Sequence, residues 1–138
     1  METLIFLKKV PLFSNFGLED LLALKEICEE KEYPAGHDII KEGQFGSEAY
    51  IIVDGYVDIV KNTGKGELVV ASMEKTAFFG EMAIIENEPR SASVRTKTAC
   101  TVLTIKGEVF RDMIKTNAQL SFEIVQTFSR RIRALMKK

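Results

Sequence analysis

Apolar and polar positions alternate with a helical period at both ends of the chain and with a strand period between them. From Leu18 to Lys31 the apolar residues recur on one side of a helix, and charged residues occupy the other side. Gly17 is a tolerable N-cap, and acidic residues in the first turn suit the helix dipole. YPAGH (33–37) ends the pattern, so we predict an N-terminal amphipathic helix over 18–31.

From Asp38 the chain changes to short β-branched and aromatic runs, each closed by glycine or a polar turn. NTGKG (62–66) is typical of a hairpin. The run Ile51–Val53 does not alternate, which indicates two-layered packing. In the next strand two alternating sets are expected to face opposite ways: Tyr56, Asp58 and Val60 on one side, and Val57, Ile59 and Lys61 on the other. Strands at this spacing predict a sandwich or a jelly-roll-like barrel.

The helical period returns after Gly107. EVFRDMIKTN (108–117) predicts one short helix, and the segment 118–138 a longer one of about 30 Å if it is continuous. The long helix carries two apolar stripes: Val125, Phe128, Ile132 and Leu135 at a 3-4-3 spacing, and Leu120, Ile124 and Phe128. We expect the second stripe to face the barrel and the first to form a homodimer. Alternatively, both stripes pack on the barrel, or one caps a ligand.

Composition narrows the class of protein. The 138 residues fit one domain, and 46% hydrophobic with 28% charged residues is ordinary for a globular protein. A net charge of −1 gives no global signal for nucleic acid or an anionic membrane. The apolar start has no basic region or cleavage site, no apolar run could span a bilayer, and Cys28 and Cys100 fit buried thiols. We therefore expect a cytoplasmic protein.

The segment FGEMAIIENEPRSASV (79–94) carries the candidate chemistry. Gly80 permits close backbone approach, and a helical turn starting at Glu81 would aim free N–H groups at an anion. Arg90 adds a fork-shaped cation suited to phosphate, whereas the Glu81 carboxylate suits a sugar hydroxyl or an arginine. The pattern favours a ribose-phosphate site. The alternative, left open by the pattern alone, is a structural Glu81–Arg90 ion pair.

The same segment resembles the phosphate-binding cassette of cyclic nucleotide-binding domains. The matching positions are Phe79, Gly80, Glu81, Ala83, Pro89, Arg90, Ala92 and Val94. PLFSNFGLEDLLAL and YPAGHDIIKEGQFGSEAYIIVDGYVDIV are similar to the family's helical entry and first strands. The resemblance implies an α+β fold, a β-roll (a double-stranded β-helix or jelly-roll-like barrel) with an N-terminal helix and C-terminal helices. The expected division of the single domain 1–138 is 1–35 helical, 36–106 β-roll with the cassette 79–94, and 107–138 helical.

The resemblance also implies roles for individual residues. Glu81 would accept from the ribose 2′-hydroxyl and Arg90 would pair with the cyclic phosphate. Gly80 and Ala83 would make backbone contacts, and Ser91 and Ala92 would donate backbone N–H groups. The implied ligand-binding residues are Phe79, Gly80, Glu81, Met82, Ala83, Arg90, Ser91, Ala92, Arg131, Leu135 and Met136. The implied ligand is cAMP, or cGMP, without a metal.

The base is less well specified. In the activator branch of the family a Thr-Ser pair reads adenine, and an ungapped count from Arg90 places Leu135 and Met136 there. Apolar caps of this kind can stack on a purine but discriminate poorly between adenine and guanine. By the same count Arg131 would pair with Glu81 when the last helix closes; the alternative is a solvated helix arginine.

Three classes of function remain. The expected one is a regulatory sensor in which cyclic nucleotide repositions the C-terminal helix. A domain of the same fold that binds a protein and no nucleotide is the alternative. An enzyme is disfavoured, because His37 is the single histidine and no metal set or nucleophile–base pair can be assembled. The chain stops at Lys138 without a helix-turn-helix, so we expect a stand-alone domain that does not bind DNA or membrane, with an unknown downstream partner.

Overall fold

The computed structural model describes residues 2–137. Five α-helices and one 3₁₀ helix are formed within that range: α1 Glu2–Lys9, the 3₁₀ helix Pro11–Phe13, α2 Leu18–Ile27, α3 Glu81–Glu86, α4 Gly107–Thr116 and α5 Ala118–Met136. The strands are β1 Glu29–Tyr33, β2 Asp38–Ile40, β3 Glu48–Asp54, β4 Val57–Asn62, β5 Glu67–Met73, β6 Phe78–Phe79, β7 Ser93–Thr96 and β8 Cys100–Lys106. In this range no helix combines the length and apolar character that crossing a membrane requires.

The strands form two antiparallel four-stranded sheets. One has the order β1-β8-β3-β6 and the other β2-β7-β4-β5, so neighbouring strands, apart from β4 and β5, come from distant parts of the chain. This confirms the predicted α+β β-roll. The hairpin predicted at NTGKG joins β4 to β5, and Thr63 N donates to Gly66 O across it at 3.0 Å.

Two apolar clusters stabilise the domain. One lies between a sheet and the helices and includes Ile51, Phe110 and Leu120, and the other lies inside the roll and includes Ile52. Ile51 and Ile52 are adjacent, both fully buried, and belong to different clusters. The absence of alternation over Ile51–Val53 is thereby explained, because each face of β3 packs against its own cluster.

The predicted helix over 18–31 is too long. α2 ends at Ile27, Cys28 already has extended backbone angles, and Glu29–Tyr33 forms β1, which pairs with β8. The segment 1–35 is therefore not wholly helical. The sequence EEKEY does not predict a strand, because most of its charged side chains are exposed and it has no apolar alternation. Backbone hydrogen bonds to β8 hold this strand in place.

The alternation predicted in β4 agrees with the surroundings of its residues. Val57 packs in the cluster inside the roll and Ile59 lines a cavity beside the cassette, whereas Val60 lies on the other side, near Asp38 and Glu67. β4 pairs with β7 in an unbroken register, and the extra residue of a β-bulge, Val70, lies in β5.

The two C-terminal helices are confirmed, and α5 packs as predicted through one stripe. Leu120 and Ile124 are buried, and Phe128 packs on the same cluster. Phe128 therefore cannot also belong to an exposed dimer stripe, which corrects that part of the first set. The exposed large apolar residues of α5 are Phe122, Val125, Ile132, Leu135 and Met136.

Candidate functional site

The segment 79–94 folds as a strand end, a short helix and a loop. Gly80 has φ 85°, α3 follows directly, and the residue that caps its C-terminal end, Asn87, has φ 56°. A side chain at position 80 would be strained by that φ, and its Cβ would also lie 3.0 Å from Arg90 Nη1. Glycine is thus required at the point where Arg90 passes beneath the start of α3.

Arg90 is a buried cation held by backbone groups. Its side chain is only 6% exposed, Nη1 donates to Gly80 O at 2.5 Å, and Nη2 donates to Glu48 O at 2.7 Å. Within residues 2–137 Arg90 forms no salt bridge, so the alternative of a structural Glu81–Arg90 ion pair is wrong. Burial lowers the pKa of Arg90 from its usual value, and Tyr50 is the largest influence in the opposite direction.

The loop between β2 and β3 positions Arg90. Arg90 N donates to Gln44 O and Gly43 N donates to Arg90 O, both at 2.8 Å. A Cβ added to Gly46 would lie 1.8 Å from Arg90 Nη2, so the guanidinium lies directly against this glycine. Gly46 was not recognised from the sequence, because its partner is more than forty residues away and glycines are common in loops.

Glu81 is the second buried charge of the site. It is 6% exposed, and Arg131 Nη1 lies 3.2 Å from its Oε1, which is the contact expected between these two residues. Arg131 reaches it from α5 with about half of its side chain exposed, and its guanidinium lies 5.6 Å from the centre of the Phe128 ring. The carboxylate is thus tied to the C-terminal helix.

A cavity of about 550 Å³ contains both charges. Nine of the eleven residues implied by the resemblance line it: Phe79, Gly80, Glu81, Met82, Ala83, Arg90, Ser91, Ala92 and Arg131. The wall opposite the cassette is apolar and comes from Ile40, Ile59 and Met73. These three could not be selected from the sequence, because the order of the strands brings them to the cassette. The described residues include no cluster of histidine, cysteine or carboxylate side chains suited to a metal ion.

Leu135 and Met136 do not line this cavity, contrary to expectation. They are 67% and 79% exposed at the end of α5. Arg131 is the last α5 residue that reaches the cavity, and the helix rise puts Leu135 about 6 Å further along the axis. The helix therefore passes the mouth of the cavity without covering it.

The cavity of this β-roll contains a buried arginine and, separately, a buried glutamate. These two groups define a domain that binds a small anionic ligand with hydroxyl groups. The family model of the cyclic nucleotide-binding domain matches residues 30–117, and the chain belongs to that family.

Relatives include the cAMP-dependent protein kinase regulatory subunit of Mycosarcoma maydis, 37% identical over 89 residues that cover 64% of this chain and 17% of that protein. The regulatory domain of Toxoplasma gondii PKA, solved with cAMP, is similar at a TM-score of 0.75 and 28% identity, over 80% of this chain and 42% of that one. The regulatory subunit of a cAMP-independent protein kinase A from Trypanosoma brucei is similar at a TM-score of 0.80 and 27% identity, over 94% and 47%. The chain spans 17% to 26% of the length of the first three curated relatives.

Proposed function

We propose that this domain is a regulatory sensor that binds cAMP in the cavity between the cassette and the roll, and that the ligand repositions α5. The observation that carries the proposal is the buried Arg90 guanidinium, which lines the cavity without a carboxylate partner in the described part of the chain. A buried charge is costly unless it is paired, so such a cation favours an anionic ligand.

Arg90 has the donors for a cyclic phosphate. Guanidinium carries five N–H donors, and the two backbone carbonyls of Gly80 and Glu48 take one each from Nη1 and Nη2. The remaining donors can form a bidentate pair with two phosphate oxygens. The carbonyls fix the fork in place before the ligand arrives, which reduces the ordering cost of binding.

Glu81 supplies the acceptor for the ribose. Its Oε1 accepts from Arg131, and no hydrogen bond to its Oε2 is formed by residues 2–137. The free oxygen can accept from a 2′-hydroxyl while the first oxygen keeps its arginine. A deoxyribose analogue would cover this acceptor without pairing it, so we expect the site to discriminate against it.

The base would lie against the apolar wall. Ile59 and Met73 offer dispersion contacts to a purine but no hydrogen-bonding side chain. Ser91 is exposed at the rim, and its carbonyl accepts from Lys61 Nζ at 2.5 Å. Adenine and guanine should therefore bind with similar affinity. We choose cAMP over cGMP because one relative belongs to a cAMP-dependent protein kinase and another was solved with cAMP.

The switch we propose runs through α5. Arg131 links the helix to the carboxylate that would hold the ribose, so ligand binding changes the environment of that contact. Leu135 follows Arg131 by four residues and so projects from the same side of the helix, one turn later. A shift of α5 towards the roll would bring Leu135 over the mouth of the cavity, whereas Met136, about 100° further round the helix, would stay on the face that carries Ile132.

The same helix is the proposed dimer surface. Phe122, Val125, Ile132 and Met136 are exposed and, with Ser129, follow a 3-4-3-4 spacing typical of a two-stranded coiled coil. Pairing of two α5 helices would cover these residues. They do not identify the downstream protein partner. The free thiols suit a reducing compartment such as the cytoplasm.

A calorimetric titration with cAMP tests the role of Arg90. We expect Arg90→Lys to weaken binding by about tenfold or more, since lysine keeps the charge but loses the bidentate fork. Arg130→Lys is the matched control, because Arg130 is exposed on α5 and does not line the cavity. Equal affinity of Arg90→Lys and wild type would remove Arg90 from the site.

A domain that binds a protein and no nucleotide remains the second candidate. It is favoured by the position of Leu135 and Met136, which leave the cavity mouth uncovered, and by the similarity to the cAMP-independent relative of Trypanosoma brucei. Titration with cAMP, cGMP and cyclic dinucleotides separates the two, because this candidate predicts no saturable heat with any of them.

A further inference from the structure

A second cavity, of about 410 Å³, lies on the α5 side of the site. Its three walls are the chain around the 3₁₀ helix (10–12), the segment 72–78 between β5 and β6, and α5. Glu81 and Arg131 line it as well as the first cavity, so their ion pair forms part of a wall common to both. The volume falls within the roughly 300–1,000 Å³ typical of small-molecule sites.

The wall from segment 72–78 is held in a fixed shape. Thr76 N donates to Ile52 O at 2.8 Å, Ile52 N donates to Ala77 O at 3.0 Å, and Ala77 N donates to Glu74 O at 3.0 Å. Thr76 has φ 74°, a conformation that a β-branched residue rarely adopts, and these hydrogen bonds are what hold it there. This side of the cavity is therefore formed before any ligand binds.

The lining of this second cavity is largely apolar. Val10, Leu12 and Ile124 are buried residues of the wall, and the Phe78 and Phe128 rings also line it. The Thr127 hydroxyl donates to Glu123 O at 2.8 Å and so needs no partner from a ligand.

Four charged residues line this cavity, two of each sign: Glu74, Lys75, Glu81 and Arg131. Because their formal charges sum to zero, the lining attracts neither an anion nor a cation as a whole. A ligand with a net charge would lose its hydration without a matching gain.

We propose that this second cavity binds a small, uncharged, largely aromatic molecule between α5 and the segment 72–78. Its rings would pack against Phe78 and Phe128, where aromatic pairs stabilise each other beyond simple burial. The ligand contacts α5 directly and lies next to the Glu81–Arg131 pair. A ligand in this position can therefore change the placement of α5, the helix that carries Arg131 to the nucleotide cavity.

Indole is the probe for this proposal, because the chain has no tryptophan and the probe's fluorescence can be followed without interference. We expect a saturable blue shift with the wild-type chain, and binding of indole-3-acetate weaker by about tenfold or more since its carboxylate must lose water. Thr127→Phe fills the cavity and should abolish the shift. Arg130→Phe adds the same ring at an exposed α5 position that lines neither cavity, and it should leave the shift unchanged.

Methyl NMR of the wild-type chain supplies a second measurement in case Thr127→Phe does not fold. We expect indole to shift the methyl signals of Leu12 and Ile124, which line only the second cavity. No saturable binding, or unchanged binding in folded Thr127→Phe, would overturn the proposal. So would displacement of indole by cAMP with no shift at those methyls, because it would put the probe in the nucleotide cavity.

Discussion

Gly46→Ala tests how closely the position of Arg90 controls ligand binding. The new Cβ would lie 1.8 Å from Arg90 Nη2, 1.9 Å from Cζ and 2.0 Å from Nε. Ordinary van der Waals contact begins at 3.4 Å, so the guanidinium has to move by about 1.6 Å. The backbone of Gly46 is not in the left-handed region, and alanine can therefore adopt it. The change acts on Arg90 without introducing backbone strain.

A displacement of that size breaks the 2.7 Å bond from Nη2 to Glu48 O and misaligns the fork for a phosphate. A hydrogen bond between charged groups contributes about 1.5–3 kcal/mol, so the loss of one or two corresponds to about 3 kcal/mol of binding free energy. We expect cAMP affinity to fall roughly a hundredfold, measured by calorimetry on a variant shown to be folded by circular dichroism.

Gly17→Ala is the matched control. A Cβ at Gly17 meets no heavy atom within 4 Å, and its φ of −75° suits alanine. We expect this variant to bind cAMP as the wild type does. If folded Gly46→Ala binds cAMP within about twofold of Gly17→Ala, the geometry of Arg90 does not control binding and the reasoning fails.

Three further outcomes are expected. Glu81→Gln should weaken cAMP binding by about tenfold in calorimetry, since an amide accepts a ribose hydroxyl less strongly than a carboxylate does. The ligand-free melting temperature should change little, because glutamine keeps the shape of the side chain and removes the cost of burying its charge, while Arg131 is half exposed and stays solvated. Unchanged affinity would argue against the ribose contact. Leu120→Ala should lower the free energy of unfolding in urea by about 2–5 kcal/mol, because Leu120 is buried. Phe122→Ala should lower it by less than about 0.5 kcal/mol in the monomer, because Phe122 is exposed. Equal losses would contradict the packing of α5. Burial raises the pKa of Cys28 from 9.0 to about 12, so the thiol should react slowly with a disulfide reagent at pH 8. The stability that the buried thiol contributes should be complete below pH 9 and lost as the pH rises towards 12. Rapid labelling of the folded chain would refute this.

The helices and most strands could be predicted because their burial follows the period of each element. α5 shows this best, since Leu120, Ile124 and Phe128 recur every four residues and all pack on one cluster. β1 could not be found in the same way. Its side chains are mostly charged and exposed, and what makes it a strand is its pairing with β8 some seventy residues later.

The cassette could be located from local sequence, because the glycine, glutamate and arginine that define it lie within a dozen residues. The contacts that complete the site are long-range. Gly46 beneath Arg90, the carbonyl of Glu48 and the apolar wall at Met73 depend on how the two sheets close. The pairing of Arg131 with Glu81 was correct, whereas Leu135 and Met136 were misplaced because counting residues fixes the order along a helix but not the angle at which it leaves the domain.

Calorimetric titration of the wild-type chain with cAMP tests the central claim most directly. The expected result is saturable binding of one cAMP per chain, with cGMP of similar affinity and 2′-deoxy-cAMP clearly weaker, because Arg90 and Glu81 recognise phosphate and ribose while the base meets an apolar wall. No heat and no change in melting temperature with either cyclic nucleotide at about 1 mM would contradict the account, since a site of this kind should bind well below that concentration.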